Sequence, residues 1–135
     1  VQWLPGALEL LGWVRRNTSC KIVLMTNIIT VDLSIFMVIL GLREYFDFIW
    51  ASCEQGASKC PENPMCWEDI KERVLSNGIQ PQDIMMVGDN FKDDLKVPKN
   101  LRWLWRLMSR DGSTIPVLHN QLIQMFEKEL VTTRS

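Results

Sequence analysis

The chain has one histidine and one tyrosine among 135 residues and a net charge of only −1. So small a charge excess gives no electrostatic case for nucleic acid or for an anionic membrane as a partner. No apolar run approaches the 18 or so residues that a membrane span needs, and the first residues lack the basic-then-apolar layout of a signal peptide, so a soluble, cytoplasmic protein is expected. The four cysteines, Cys20, Cys53, Cys60 and Cys66, form no CxxC pair of the kind that binds zinc; in a chain read as non-secreted they are expected reduced and structural. Neither GxGxxG after a strand, nor GxxxxGK[ST], nor GxSxG occurs, which leaves dinucleotide binding, a P-loop and a nucleophile elbow without support. The single histidine, His119, falls in an amphipathic pattern near the C-terminus and reads as a partly exposed helix residue rather than a catalytic base.

What the chain does have is the stretch from Ile84 to Leu95, where four apolar residues, Ile84 to Val87, run into Gly88, Asp89 and Asn90 and then Asp93 and Asp94. Four large apolar side chains in a row suit a strand covered on both faces, as in a parallel sheet. Asp89 then falls at the strand's carboxyl end, the edge where open α/β sheets bind ligands, and hard carboxylate oxygens there suit Mg²⁺. A second reading of the same residues is a helix N-terminus, with Asn and Asp as caps and first-turn acids. The residues alone leave both readings open.

Hydrophobic residues make up 47% of the chain, and its length suits one domain, residues 1–130, with a short tail at 131–135. Pro5, Ala7, Leu10, Leu11 and Val14 predict an opening amphipathic helix. The run Lys21 to Met25 predicts a buried strand ending on Thr26 and Asn27. Thr30 is placed to cap a helix bearing Leu33, Phe36, Met37 and Leu40, with Gly41 as its left-handed terminator. A third strand follows at Phe48 to Ala51. The loop from Ser52 to Glu62 carries Lys59, and a helix with Trp67, Ile70 and Val74 stops at Asn77 and Gly78. After Asp94 a short helix is expected to be cut off at Pro98, and the alternation from Leu101 to Leu107 predicts an edge strand with Leu101, Trp103, Trp105 and Leu107 on one face. Pro116 opens a last helix. Strands alternating with helices indicate right-handed crossovers, hence an α/β fold with a Rossmann-like parallel sheet and helices on both faces.

The succession Ile22-Val23-Leu24-Met25-Thr26-Asn27, then Gly41 to Asp47, then Gly56 to Lys59 with Pro61 and Glu62, then Val87-Gly88-Asp89-Asn90 with Asp94 resembles the haloacid dehalogenase (HAD) superfamily, and within it the phosphatase-like members. The resemblance extends over roughly residues 5–112. It implies that Thr26 binds the substrate phosphate with Asn27 beside it, that Lys59 neutralises phosphoryl charge, and that Asp89 and Asp94 are the acidic ligands of Mg²⁺. It further implies a small phosphorylated metabolite as partner. Three departures stand out, one being that Val97-Pro98-Lys99-Asn100 follows Asp94 where the family generally has a small Gly-Ala segment. The family's early DxDxT motif, whose first Asp is the nucleophile, is absent, since the first Asp here is Asp32; and Lys59-Cys60-Pro61-Glu62 is one residue longer than the usual Lys-Pro-Asp. The resemblance therefore implies a HAD-like core lacking its first, central strand: a fragment, a short isoform or a chain that has lost catalysis, inactive by itself. A non-catalytic binding domain is the alternative. Three structural expectations follow. Thr26, Lys59 and Asp89 should converge on one sheet edge, with Lys59 near an acid of the 89–94 loop. The strands near 22–26 and 84–88 should close up and pair directly, because open buried edges leave donors and acceptors unmet. If they stay open, a strand-donating partner or self-association would fill the gap.

Overall fold

The computed structural model describes residues 2–74 and 78–134. It divides into two compact units, one spanning Lys21–Leu107 and the other made of Trp3–Cys20 and the chain from Met108 on. The second unit holds α1 (Ala7–Asn17) and α7 (Ile115–Arg134). Helix α1 carries Glu9 in its first turn and Arg15 and Arg16 in its last, charges that complement the helix dipole. The Trp13 ring lies 5.8 Å from that of His119 and 6.0 Å from that of Phe126, so α1 and α7 meet through aromatic side chains. His119 is half-buried on a helix as expected, although its Nε2 is buried without a hydrogen-bond partner among the described residues. Helix α7 continues to Arg134 through the residues expected as a tail.

The first unit alternates strands and helices: β1 (Val23–Thr26), α2 (Thr30–Ile39), α3 (Leu42–Tyr45), β2 (Phe48–Ala51), α4 (Ser52–Gln55), α5 (Met65–Val74), β3 (Met85–Gly88), a π-helical turn at Phe91–Leu95, α6 (Lys96–Asn100) and β4 (Leu104–Leu107). It is an α/β fold with parallel strands. β1 pairs with β2, Val23 opposite Phe48 and Thr26 opposite Ala51; β3 pairs with β4, Met85 opposite Leu104 and Gly88 opposite Leu107. These are the neighbours expected for a sheet whose middle strand is missing. The expected closure does not occur: the strands form two separate two-stranded sheets, and β1 and β3 are not paired. The reason lies in the core beneath them. One apolar cluster of Trp50, Cys66, Trp67, Ile70, Val97 and Trp103 serves both pairs, with Val23, Met25, Ile84 and Met86 packed against it. Drawing the pairs together would compress indole rings that are already 0% to 6% exposed, and overpacking of that kind is itself destabilising.

Local differences have similarly plain causes. Thr30 is the first residue of α2 rather than its cap; the cap is Ile29, whose extended backbone makes no side-chain capping bond. Gly41 does terminate this region in the left-handed conformation, with φ +61°. Pro98 does not end a helix. It is the third residue of α6, where the missing N–H is one of those that lack an intrahelical acceptor anyway. β4 starts at Leu104, because α6 persists to Asn100 and Arg102 takes a positive φ of 66°. Trp103 is buried but Leu107 is 53% exposed, so the expected single face is not kept over its whole length. The predicted stop of α5 at Asn77 lies outside the described residues.

Candidate active site

The carboxyl ends of β1 and β3 lie within reach of one side chain, Lys59, and three loops gather there. The first is Thr26-Asn27, leaving β1. The second is the Gly56–Lys59 segment, which follows α4 and precedes α5. The third is Asp89-Asn90 and the π turn, leaving β3.

Asn27 ties the first loop to the second. Its Oδ1 accepts from the Lys59 backbone N–H at 2.6 Å and its Nδ2 donates to the Lys59 carbonyl at 2.9 Å. The amide thereby grips both backbone groups of one residue, as a neighbouring strand would. A second clamp is Asn63, whose side-chain amide donates to the Ser58 carbonyl at 3.0 Å and whose backbone N–H bonds to the Cys60 carbonyl at 2.9 Å. The extra residue in the loop is absorbed in that turn, so the longer loop does not carry Lys59 away from the site.

Lys59 points inward and is 8% exposed. Its Nζ donates to the Met25 carbonyl of β1 at 3.3 Å and forms an ion pair with Asp94 Oδ1 at 2.5 Å. Asp94, 6% exposed, is held in turn by the Asn90 backbone N–H, which donates to its Oδ2 at 3.1 Å. Asn90 caps the π turn, its Oδ1 accepting from the Asp93 N–H at 3.1 Å. The capping reading of the acidic stretch is realised, Asn90 and Asp93 acting as cap and first-turn acid, whereas Asp94 turns back toward the lysine. Gly88 is what permits this return. A Cβ on Gly88 would overlap the Cβ and Oδ2 of Asp94, so any larger residue at 88 excludes the observed turn.

Of the residues named from the sequence, Asn27, Lys59 and Asp94 are brought into direct contact. Thr26 is the half-buried last residue of β1, and its hydroxyl makes no hydrogen bond to the described residues. Asp89 is exposed at the end of β3. The two therefore stand at the mouths of the two strand pairs, with Lys59 reaching from one side to the other. Asn63 and the capping role of Asn90 were not singled out, although an Asn opening an acidic turn is a capping signal by itself. Burial pushes the Cys66 thiol, just beyond this loop, up to about 11. Its own backbone hydrogen bond holds the exposed Glu62 carboxyl below its usual value, helped by the Cys60 side chain and by Lys92 of the π turn and Lys96 of α6. A hollow of about 460 Å³ opens beside Asn27, lined also by Thr30, Ser52 and Ser58.

An ammonium has three donors, and Asp94 and Met25 take two of those on Lys59, which leaves one for a ligand at the strand ends. Magnesium calls for hard oxygens. No cluster of three His, Cys, Asp or Glu side chains suited to a metal is present among the described residues, so a cage made by the protein alone is not available. The donors fit the other mode, in which Mg²⁺ uses one or two carboxylates and completes its shell with water and phosphate oxygens. Asp89 is the carboxylate exposed for that role, and Asp94 lies behind it, engaged with Lys59.

Comparison with known proteins gives a consistent picture. The family model for haloacid dehalogenase-like hydrolases matches residues 2–101. No curated protein matches the sequence significantly. Among solved structures, the HAD phosphatase from Thermococcus onnurineus superposes with a TM-score of 0.67 at 24% identity, over 83% of this chain and 49% of that one. The YfnB protein of Bacillus subtilis, solved bound to magnesium, superposes with a TM-score of 0.65 at 20% identity, over 79% of this chain and 44% of that one. The chain thus spans about half the length of these two structures, and at such identities the likeness shows the fold alone. With the family model covering residues 2–101, the chain belongs to the haloacid dehalogenase-like hydrolase family.

Proposed function

We propose that this chain provides the phosphate-binding and charge-neutralising side of a Mg²⁺-dependent phosphomonoester hydrolase, and that it does not hydrolyse esters by itself. The observation that carries the reading is the buried Lys59 ammonium, set at the ends of the strands with one donor uncommitted and its charge balanced by Asp94. Phosphoryl transfer is catalysed mainly by positioning and by neutralising oxygens, and a lysine serves there as a point charge. Thr26 would offer its hydroxyl and Asn27 its remaining amide hydrogen to the phosphate. Asp89, with Asp94 behind it, would hold Mg²⁺, which when bound neutralises charge on the phosphoryl oxygens. The hollow beside Asn27 gives the organic part of a small phosphorylated metabolite room to lie. The sequence offers no DxDxT motif, so no aspartyl nucleophile is assigned and no covalent intermediate is written. The narrower likeness to the branch that includes N-acylneuraminate-9-phosphatase belongs to the same reading.

A second reading, a non-catalytic interaction domain, is favoured by two observations. Val31, Ile35, Val38 and Ile39 of α2 are 66%, 42%, 82% and 61% exposed, and the facing edges of β1 and β3 are unpaired with each other. Under either reading those edges suit a further strand from a partner or a second copy.

The test is binding first and turnover second. Calorimetry should detect inorganic phosphate binding that Lys59→Ala abolishes, while p-nitrophenyl phosphate with Mg²⁺ gives no turnover above a buffer blank. Turnover that disappears in Asp89→Ala or Lys59→Ala protein would mean that another acid has taken the nucleophile's place. No phosphate binding at all would favour the interaction domain.

A further inference from the structure

The π turn at Phe91–Leu95 is held from two sides. On the inner side Asp94 is fixed by Lys59. On the outer side Phe91, the first residue of the turn, meets Trp105 of β4 edge-on, with ring centroids 5.6 Å apart and planes at 78°. The Lys99 ammonium of α6 lies over both rings, 5.8 Å from the centroid of Phe91 and 5.6 Å from that of Trp105. The edge-to-face pair and the two cation–π contacts all lie within the range where such interactions are attractive. Phe91 is nonetheless 39% exposed, so its place is not explained by burial alone. A π-helical turn is a rare local conformation, frequently found at functional sites.

The two supports differ in what a ligand does to them. A phosphate at the strand ends would draw on the same Lys59 ammonium that fixes Asp94, so the inner support weakens as the site fills. The outer one involves neither Lys59 nor Asp94 and stays in place. We propose that Phe91, clasped by Trp105 and Lys99, is a positioning residue that keeps Asp89 and Asp94 in register when Lys59 is shared with a bound phosphate. The inference rests on the phosphate-site reading above. It adds a role for three residues that touch neither the ligand nor the ion pair.

Three variants test it with inorganic phosphate as the probe, measured by calorimetry on the full chain, with urea unfolding of the ligand-free protein alongside. Phe91→Ala should weaken phosphate binding about tenfold and Lys99→Gln about threefold, the loss expected for one or two contacts of this class. Lys99→Arg should keep affinity near that of the wild type, because the guanidinium still places a positive charge beside the two rings. The ligand-free unfolding midpoint of Lys99→Gln should stay near that of the wild type, since the inner ion pair is then intact. Equal phosphate affinity in wild type, Phe91→Ala and Lys99→Gln, with only the unfolding midpoints moved, would make the cluster merely structural and overturn the proposal. If the wild type binds no phosphate, the phosphate-site reading fails first and this role goes with it. Wild-type binding that is lost in Lys59→Ala keeps that reading whichever way the Phe91 result falls.

Discussion

Replacing Lys59 with methionine isolates the buried pair and should be the most damaging single change in the strand-end region. At 2.5 Å the gross attraction is about 7 kcal/mol with an effective dielectric constant near 20, most of it offset by the desolvation of two charges. What the variant exposes is the other side of that balance. Asp94, 6% exposed, then keeps an uncompensated charge, at a cost of about 3–5 kcal/mol, a large part of the roughly 5–15 kcal/mol by which a domain is stable. Asp94→Asn should cost less, because the amide oxygen still accepts from Asn90 and the long lysine stem can carry its charge toward water. The double variant should recover at least about 2 kcal/mol relative to the sum of the singles, as both charges are gone. Urea unfolding followed by the fluorescence of the buried Trp50 and Trp67 measures all three. A Lys59→Met loss under about 1 kcal/mol would refute the account of a desolvated pair.

Two further outcomes follow from the same geometry. Gly88→Ala should cost about 1–3 kcal/mol and abolish phosphate binding, because its Cβ would overlap Asp94, a side chain that Lys59 and Asn90 hold in place; a variant as stable as the wild type, with phosphate affinity intact, would show that the turn is not held as described. Cys66, with its thiol pushed up to about 11 by burial, adds stability that is complete below pH 9 and is lost as the pH rises toward 11, by up to about 2–3 kcal/mol. The difference in urea midpoint between wild type and Cys66→Ala should therefore shrink over that interval, and a constant difference would contradict the burial.

Much was legible in the sequence because its signals are local. Runs such as Lys21 to Met25 and Ile84 to Val87 are short, apolar and bounded by polar residues, and the structure places β1 and β3 in them. Gly41 terminates its segment with positive φ because a residue without Cβ does so at low cost. The pairing of β1 with β2 and of β3 with β4 follows from short crossover connections. The approach of Lys59 to an acid of the 89–94 loop was legible through the order of the motifs.

What the sequence could not decide depended on groups far apart in the chain. Whether β1 and β3 would close was set by how Trp50, Trp67 and Trp103, which are up to 53 positions apart in sequence, fill one shared cluster, and no local pattern encodes that volume. The grip of Asn27 on the Lys59 backbone joins residues 32 positions apart, and the choice of Asp94 over Asp93 as the partner of the lysine came from the π turn and from the open space at Gly88. Residue types and their order determined which chemistry this chain can host. Packing beneath the strands decided how far apart the two halves of the site stand, because a close-packed core resists compression more strongly than unpaired strand edges attract one another.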